Sequence, residues 1–125
     1  MNVVDSSLWI EYFAKTNMGN IVAEVIEDTD RLIVPTVSIF KVYKKLLFEV
    51  SEEEAESYIM KMKMGKVIDL TEDISISSAV ISIKHNLPAA DSIVYATALY
   101  YNCILWTMEK HFAGLPSVNY FEKKK

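Results

Sequence analysis

The sequence predicts an α/β domain with three layers, in which helices cover both faces of a central, mostly parallel sheet. Short apolar runs rich in β-branched residues alternate along the 125-residue chain with longer segments of helical periodicity. Strands that alternate with helices in this way pair in parallel through right-handed crossovers. With 51% hydrophobic residues and only three Gly and three Pro, the chain has no evident linker, so residues 1–125 are expected to form a single domain.

The chain begins with a short apolar strand and two helical segments. The strand is predicted over Asn2 to Val4, and Asp5 or Ser6 can cap the helix that follows it. A second helical pattern covers Asn17 to Asp28, where apolar residues recur at the spacing of one helix face.

The β-rich run "RLIVP" predicts the second strand, and two further helices follow it. Thr36 can cap a helix over Val37 to Phe48. Ser51 and the glutamate three residues later form a capping-box signature, which begins a helix that continues to Lys63.

The third strand, "KVIDL", precedes a helix whose two ends carry typical signals. Thr71 can cap its start, and Asn86 is a suitable stop because asparagine tolerates the left-handed backbone conformation. We expect the buried face of this helix to consist of Ile76, Ala79, Val80 and Ile83.

The segment "LPAADSIVYATAL", from Leu87 to Leu99, predicts a helix surrounded by protein. Pro88 fits its first position, where a missing N–H costs nothing. The residues after it leave almost no polar face apart from Asp91. The run "CILWT" then predicts a fourth strand, which is followed by a turn at Glu109 to Phe112 and a last strand over Ser117 to Phe121.

Net charge, cysteine count and the distribution of apolar residues limit the classes of protein to which the chain can belong. A net charge of −4 is unlike that of a plain nucleic-acid binder, but it does not exclude an enzyme that reaches phosphates through metal ions held by carboxylates. The lone Cys103 excludes an internal disulfide and suits a reducing cytoplasm. We expect no membrane span and no secretory leader, because Asp91 interrupts the longest uncharged stretch and no basic, apolar segment begins the chain. The basic tail, Lys123 to Lys125, is expected to be frayed.

Three carboxylates occupy similar positions in this pattern. Asp5 and Glu109 follow apolar runs, and Asp91 lies just inside the start of a buried helix. An α/β fold places its ligand site past the carboxyl ends of its strands, so we expect the three side chains to meet there. Without further information, the positions of Asp5 and Asp91 favour helix caps over metal ligands. His85 and His111 are expected to be surface or loop histidines without a chemical role.

Four segments carry a family resemblance. They are, in order, "VVDSSLWIEYF", "PTVSIFKVYKKLL", "LPAADSIVYATAL" and "LWTMEKHF". Their order and spacing resemble the four signature blocks of PIN-domain ribonucleases, and most closely those of the VapC-type toxins of type II toxin–antitoxin systems. The resemblance implies a three-layer PIN-like domain and an endoribonuclease that uses one or two Mg²⁺ or Mn²⁺ ions.

The resemblance also implies roles for individual residues. Asp5 and Asp91 lie where the family keeps its principal metal-binding aspartates, and Glu109 lies where an aspartate is more common. Oxygen ligands of this kind suffice for hard divalent cations. Ser6 and Thr107 are small hydroxyls suited to orienting these carboxylates or the attacking water.

One position departs from the family pattern. The helix after the second strand carries a glutamate in the family, and here it carries Lys41. The exchange changes the local charge by two units, and one charge pair at about 4 Å is worth roughly 4 kcal/mol at an effective dielectric constant near 20. Lys41 should therefore weaken metal binding. Either the natural protein is a degenerate PIN domain, or Lys41 is a variant selected during cloning, since Glu and Lys codons differ by one base and active toxin kills its host.

The resemblance finally implies partners. An RNA substrate, a small VapB-like antitoxin that covers the acidic pocket, and a homodimer formed through exposed apolar helix surface are expected. An alternative is a catalytically inactive PIN module that acts through its complex with the antitoxin. A phosphoryl-transfer domain is disfavoured, because "DSSLW" provides neither a Gly-rich phosphate loop nor a second nearby aspartate.

Overall fold

A five-stranded sheet forms the centre of the protein. The computed structural model describes residues 1–123, so Lys124 and Lys125 of the tail expected to be frayed lie outside the described residues. The strands are β1 (Asn2–Val4), β2 (Leu32–Pro35), β3 (Lys66–Ile68), β4 (Ile104–Thr107) and β5 (Val118–Tyr120). Their order is β3-β2-β1-β4-β5, and every neighbouring pair is parallel. The predicted α/β class and parallel sheet are confirmed.

Within the described residues, six helices connect the strands. They are α1 (Ser6–Phe13), α2 (Asn17–Glu27), α3 (Thr36–Glu49), α4 (Glu52–Met62), α5 (Glu72–His85) and α6 (Ala89–Tyr100). Short 3-10 turns precede β2, at Thr29–Arg31, and follow β4, at Lys110–Phe112. Among residues 1–123, no helix combines the length and the apolar character that a membrane span requires.

The two faces of the sheet are covered by different helices. The chain moves outward from β1 to β2 and β3, and then returns across β1 to β4. Because crossovers are right-handed, this reversal puts α1 to α4 on one face and α5 and α6 on the other. Strand residues alternate accordingly: Val3 and Leu105 pack with α5 and α6, whereas Val4 and Leu32 pack with α1 to α4. The three-layer architecture is therefore confirmed.

Several predicted helix ends are confirmed by their hydrogen bonds. The Ser51 hydroxyl accepts a hydrogen bond from the backbone N–H of Glu54 at 3.1 Å. The Thr71 hydroxyl accepts one from the N–H of Ile74 at 3.2 Å. Asn86 ends α5 with a φ of 53°, in the left-handed region that asparagine tolerates.

Two helix starts differ from the prediction by one residue. The backbone of β2 stays extended through Pro35, so this proline precedes the first turn and Thr36 is already helical. Pro88 likewise lies before the first turn of α6, with extended backbone angles, and Ala89 is the first helical residue. The burial of α6 is as predicted along most of its length, and its exposed residues are Ala89 at the start and Leu99 and Tyr100 at the end.

The predicted buried face of α5 is wrong. Ile76, Val80 and Ile83 are 61%, 61% and 87% exposed, and Ala79 is exposed as well. The face that packs against the sheet contains Ile74, Ser78 and Ile81. Ser78 interrupts this face in the sequence, but its hydroxyl donates to the carbonyl of Ile74 at 2.6 Å and is thus satisfied inside the helix. Hydropathy favoured the more continuous apolar stripe, which is left on the surface.

Candidate functional site

The predicted site residues lie at the point where the sheet changes direction. The chain leaves β1 towards β2 on one side, and β4 is placed on the other side of β1. Asp5 directly follows β1, and Glu109 lies just beyond the end of β4. Crevices at such a switch point, outside the carboxyl ends of parallel strands, are where α/β folds bind ligands. Topology therefore brings the first and last predicted carboxylates to one edge of the sheet.

Asp5 is buried and held from two sides. The hydroxyls of Thr107 and Ser7 donate to its Oδ2 atom at 2.9 and 3.2 Å. Its backbone N–H donates to the carbonyl of Trp106 at 2.9 Å, which joins the start of α1 to β4. Its Oδ1 atom is buried and has no hydrogen-bond partner among residues 1–123. A buried carboxylate oxygen without a donor is unfavourable unless a cation or a water molecule satisfies it.

The surroundings of Asp5 act on its pKa in opposite directions. Burial removes water from the carboxylate and raises its pKa above the ordinary value, and the charge of Asp91 adds to this rise. The ammonium of Lys41 and the hydrogen bond from Thr107 lower the pKa, but burial has the larger effect. Burial therefore disfavours the charged form of Asp5 more than Lys41 and the hydrogen-bond donors favour it.

Lys41 faces the same carboxylates from α3. Its Nζ atom lies 3.4 Å from Oδ1 of Asp91, which is a buried side chain in the first turn of α6. Its charge also acts on Asp5. The side chain of Lys41 is only one-third exposed, so this ammonium stays close to the two aspartates. Lys41, the residue that departs from the family pattern, thus places a positive charge beside the carboxylates that are predicted to bind a metal ion.

His111 is the site residue that the sequence analysis missed. Its Nδ1 atom lies 3.1 Å from Oδ2 of Asp91 and 3.1 Å from Oε1 of Glu109. It was expected to be a surface histidine, and its side chain is indeed half exposed. The available signal was its position, two residues beyond Glu109 in the turn after β4, where a 3-10 conformation folds the imidazole back onto the strand end.

Thr107 connects the two strand-end carboxylates. Its hydroxyl donates to Asp5 and accepts a hydrogen bond from the backbone N–H of Glu109 at 2.8 Å. Ser6, which was expected to orient the carboxylates together with Thr107, lines the cavity. The serine hydroxyl that donates to Asp5 belongs to Ser7. The Ser7 hydroxyl also accepts from the N–H of Met108 at 3.3 Å. These contacts fix the start of α1 against the end of β4.

A cavity of about 580 Å³ lies over this edge of the sheet. Asp5, Ser6, Lys41 and Glu109 are among the residues that line it. Lys45 and Glu49 also line the cavity, and they form an ion pair with each other at 3.5 Å. The volume is within the range of clefts that bind small ligands or part of a larger one.

The donor set fits a divalent cation. Asp5, Asp91 and Glu109 provide carboxylate oxygens, the ligands that Mg²⁺ and Mn²⁺ prefer. The unpartnered Oδ1 of Asp5 is consistent with such an ion. Residues 1–123 contain one group of three metal-ligating side chains whose ligand atoms are close enough to share an ion. These are Asp91, Glu109 and His111, and their ligand atoms lie within 4.8 Å of one another. That Asp5 and Asp91 share a cation stays a prediction.

The chain resembles proteins of one family throughout. The PIN domain family model matches residues 3–117. A toxin–antitoxin complex from Klebsiella pneumoniae has a chain of similar fold, with a TM-score of 0.80, 21% identity, and coverage of 95% of this chain and 96% of that chain. VapBC-1 from nontypeable Haemophilus influenzae gives a TM-score of 0.71 at 20% identity, covering 97% and 96%.

A third similar structure is a VapC toxin. The VapC20 toxin of Mycobacterium tuberculosis, a sarcin–ricin loop cleaving toxin, gives a TM-score of 0.67 at 12% identity and covers 83% of this chain and 85% of that chain. The TM-scores show a shared fold. No curated protein sequence matches the chain.

Proposed function

Because the chain belongs to the PIN-domain family, we propose that it is a metal-dependent endoribonuclease of the VapC toxin type whose metal site is impaired by Lys41. The observation that carries this proposal is the convergence of Asp5, Asp91 and Glu109, through shared hydrogen bonds and ion pairs, at the switch point of a parallel sheet. We propose that residues 1–125 act as one domain.

The proposed site would hold one or two Mg²⁺ or Mn²⁺ ions on Asp5, Asp91 and Glu109. A divalent cation bound there would polarise the scissile phosphate and lower the pKa of a bound water. Thr107 and Ser7 orient Asp5, and Thr107 also ties the Glu109 backbone to the same point. The chain thus contributes fixed oxygen ligands at one edge of the sheet, and the cavity beside them receives the RNA.

Lys41 opposes this arrangement electrostatically. An ammonium 3.4 Å from Asp91 neutralises part of the charge that would attract a cation, and it repels an ion placed nearby. A glutamate at the same position would add an oxygen ligand and remove the competing charge. The proposal therefore predicts little Mg²⁺-dependent cleavage by the protein as it stands and a large gain in Lys41→Glu.

The experiment compares both forms on single-stranded and structured RNA across a Mg²⁺ and Mn²⁺ titration. Asp5→Asn in the Lys41→Glu background is the control, because it removes a predicted ligand and should abolish the gained activity. Expression of Lys41→Glu in a host without the antitoxin should also become toxic. Full-rate cleavage by the unaltered protein would show that Lys41 is no lesion, and an inactive but folded Lys41→Glu would reject the nuclease proposal.

A second function is favoured by the same ion pair. Lys41 and Asp91 neutralise each other without a metal ion, as expected of a PIN module that no longer cleaves RNA and acts through a protein complex. Inactivity of Lys41→Glu together with stable binding to the antitoxin would favour this function.

The proposed partners follow from the family and from the surface. We propose a small VapB-like antitoxin, supported by the toxin–antitoxin complexes among the similar structures. We also propose a homodimer, supported by the exposed apolar stripe Ile76, Val80 and Ile83 of α5. We further propose that the substrate is RNA and that the protein acts in the cytoplasm.

A further inference from the structure

We propose that Asp91, Glu109 and His111 form a cation site that shares two carboxylates with the predicted all-carboxylate site and prefers a later first-row transition-metal ion, such as Co²⁺, to Mg²⁺. The inference rests on the proposed function, because it concerns the cation that the same acidic site would hold. It differs from the all-carboxylate site in its ligands: an imidazole nitrogen takes the place that Asp5 has in the predicted set.

The distances between the three side chains suit a shared ion. The Nδ1 atom of His111 lies 3.1 Å from a carboxylate oxygen of Asp91 and 3.1 Å from one of Glu109. Adjacent ligands of an octahedral ion with bonds of about 2.1 Å lie about 3.0 Å apart. All three ligand atoms lie within 4.8 Å of one another, which is close enough for them to share one ion.

Hydrogen bonding alone satisfies this cluster poorly. The Nδ1 atom carries at most one proton, and it faces two carboxylate oxygens at equal distances. One N–H cannot point at both, so one oxygen receives a weak contact at best. A cation bound by the deprotonated nitrogen and both oxygens would satisfy all three atoms at once.

Lys41 determines which oxygens of the site are available. It pairs with Oδ1 of Asp91, whereas His111 contacts Oδ2 of the same carboxylate. Asp91 can therefore keep its ammonium partner and still offer one oxygen to a metal ion on the His111 side. The ion is thereby displaced away from Asp5, towards the exposed end of the cluster.

The imidazole nitrogen of His111 is the reason why this site should prefer a transition-metal ion to Mg²⁺. Imidazole binds later first-row divalent ions well, whereas Mg²⁺ favours oxygen ligands and keeps its water. Removing His111 should therefore affect the two classes of ion differently. An all-carboxylate site would show no such difference.

The test is a titration of the full chain, without an affinity tag, with Co²⁺ alone and with Mg²⁺ alone. Binding is followed by calorimetry and, for Co²⁺, by its visible absorption. We expect His111→Ala to weaken Co²⁺ binding about tenfold or more while Mg²⁺ binding changes by less than about twofold. His85→Ala is the matched control, because it removes the other histidine, which packs edge-on against Tyr95.

Three outcomes would overturn the inference: no Co²⁺ binding at millimolar concentration, unchanged Co²⁺ binding by His111→Ala, or an equal loss in His85→Ala. His111 is half exposed, so we expect His111→Ala to fold, and circular dichroism of this same variant tests whether a loss of binding is caused by unfolding. Failure here is distinguishable from failure of the nuclease proposal. The former concerns ion binding to the unaltered chain, and the latter concerns RNA cleavage by Lys41→Glu.

Discussion

At the scale of single residues, the site depends on hydrogen bonds that fix carboxylates before any ion is bound. Thr107 is the central example, because its hydroxyl donates to Asp5 and accepts from the Glu109 N–H. Asp5 ends the first strand and Glu109 follows the fourth, so one hydroxyl group joins two distant parts of the sequence. Groups that orient metal ligands in this way affect metal affinity although they do not touch the ion.

Thr107→Val tests the role of this hydroxyl, because the change removes the hydroxyl and keeps the shape of the side chain. We expect a loss of about 1–3 kcal/mol in the free energy of unfolding, since buried Asp5 loses its closest donor. In the Lys41→Glu background, Mg²⁺ affinity should fall about tenfold or more.

The control for Thr107→Val is Thr97→Val in α6. This change removes a buried hydroxyl that donates to the carbonyl of Ile93 at 2.8 Å, away from the carboxylates. Urea unfolding and Mg²⁺ titration of both variants provide the comparison. Equal Mg²⁺ affinities in the two variants would mean that Thr107 does not orient the ligands.

At the scale of elements, the close approach of α1 and α2 positions the helix that begins at Asp5. Gly19 makes this approach feasible: a Cβ atom there would lie 2.3 Å from the carbonyl oxygen of Glu11 and 2.7 Å from the Cα of Tyr12. Both obstacles are backbone atoms, which cannot rotate away. The Thr16 hydroxyl, which accepts from the Gly19 N–H at 3.1 Å, starts α2 at this contact.

Gly19→Ala should therefore destabilise the protein, although alanine is the better helix former. We expect a loss of about 2 kcal/mol or more in the free energy of unfolding, because overpacking outweighs the gain in helix propensity of about 1 kcal/mol. Asn20→Ala, at the next and exposed position of the same helix, should be close to neutral. Urea unfolding of both variants tests this, and a Gly19→Ala protein as stable as Asn20→Ala would contradict the packing argument.

At the scale of the whole molecule, the sequence predicted the alternation of strands and helices because each strand is a short apolar run. It also predicted that Asp5 and Glu109 lie at one edge of the sheet, because residues that follow parallel strands share that edge. That Asp91 completes a metal site with them stays a prediction. The exposed face of α5 was not predictable from hydropathy, since both of its faces carry isoleucine. His111 was missed because its role depends on a turn whose conformation periodicity does not encode.

The exposed stripe of α5 bears on the oligomeric state. Ile83 is 87% exposed, and we expect it to be buried against a second copy of the chain. Ile83→Asp should convert a dimer into a monomer, as measured by sedimentation equilibrium at micromolar concentration. Ile21→Asp, at an exposed isoleucine of α2, is the matched control and should leave the dimer intact. A monomeric unaltered protein would contradict the proposed homodimer.

We propose that the Lys41 ammonium occupies the position of a divalent cation beside Asp91. The most direct test of this proposal is the Mg²⁺ affinity of Lys41→Glu, measured by calorimetry. Relative to the unaltered protein, we expect affinity to rise at least about tenfold, because the change removes a positive charge beside Asp91 and adds an oxygen ligand. Lys41→Met, which only removes the charge, should give an intermediate affinity. Equal Mg²⁺ affinities of the unaltered protein and folded Lys41→Glu would contradict the claim.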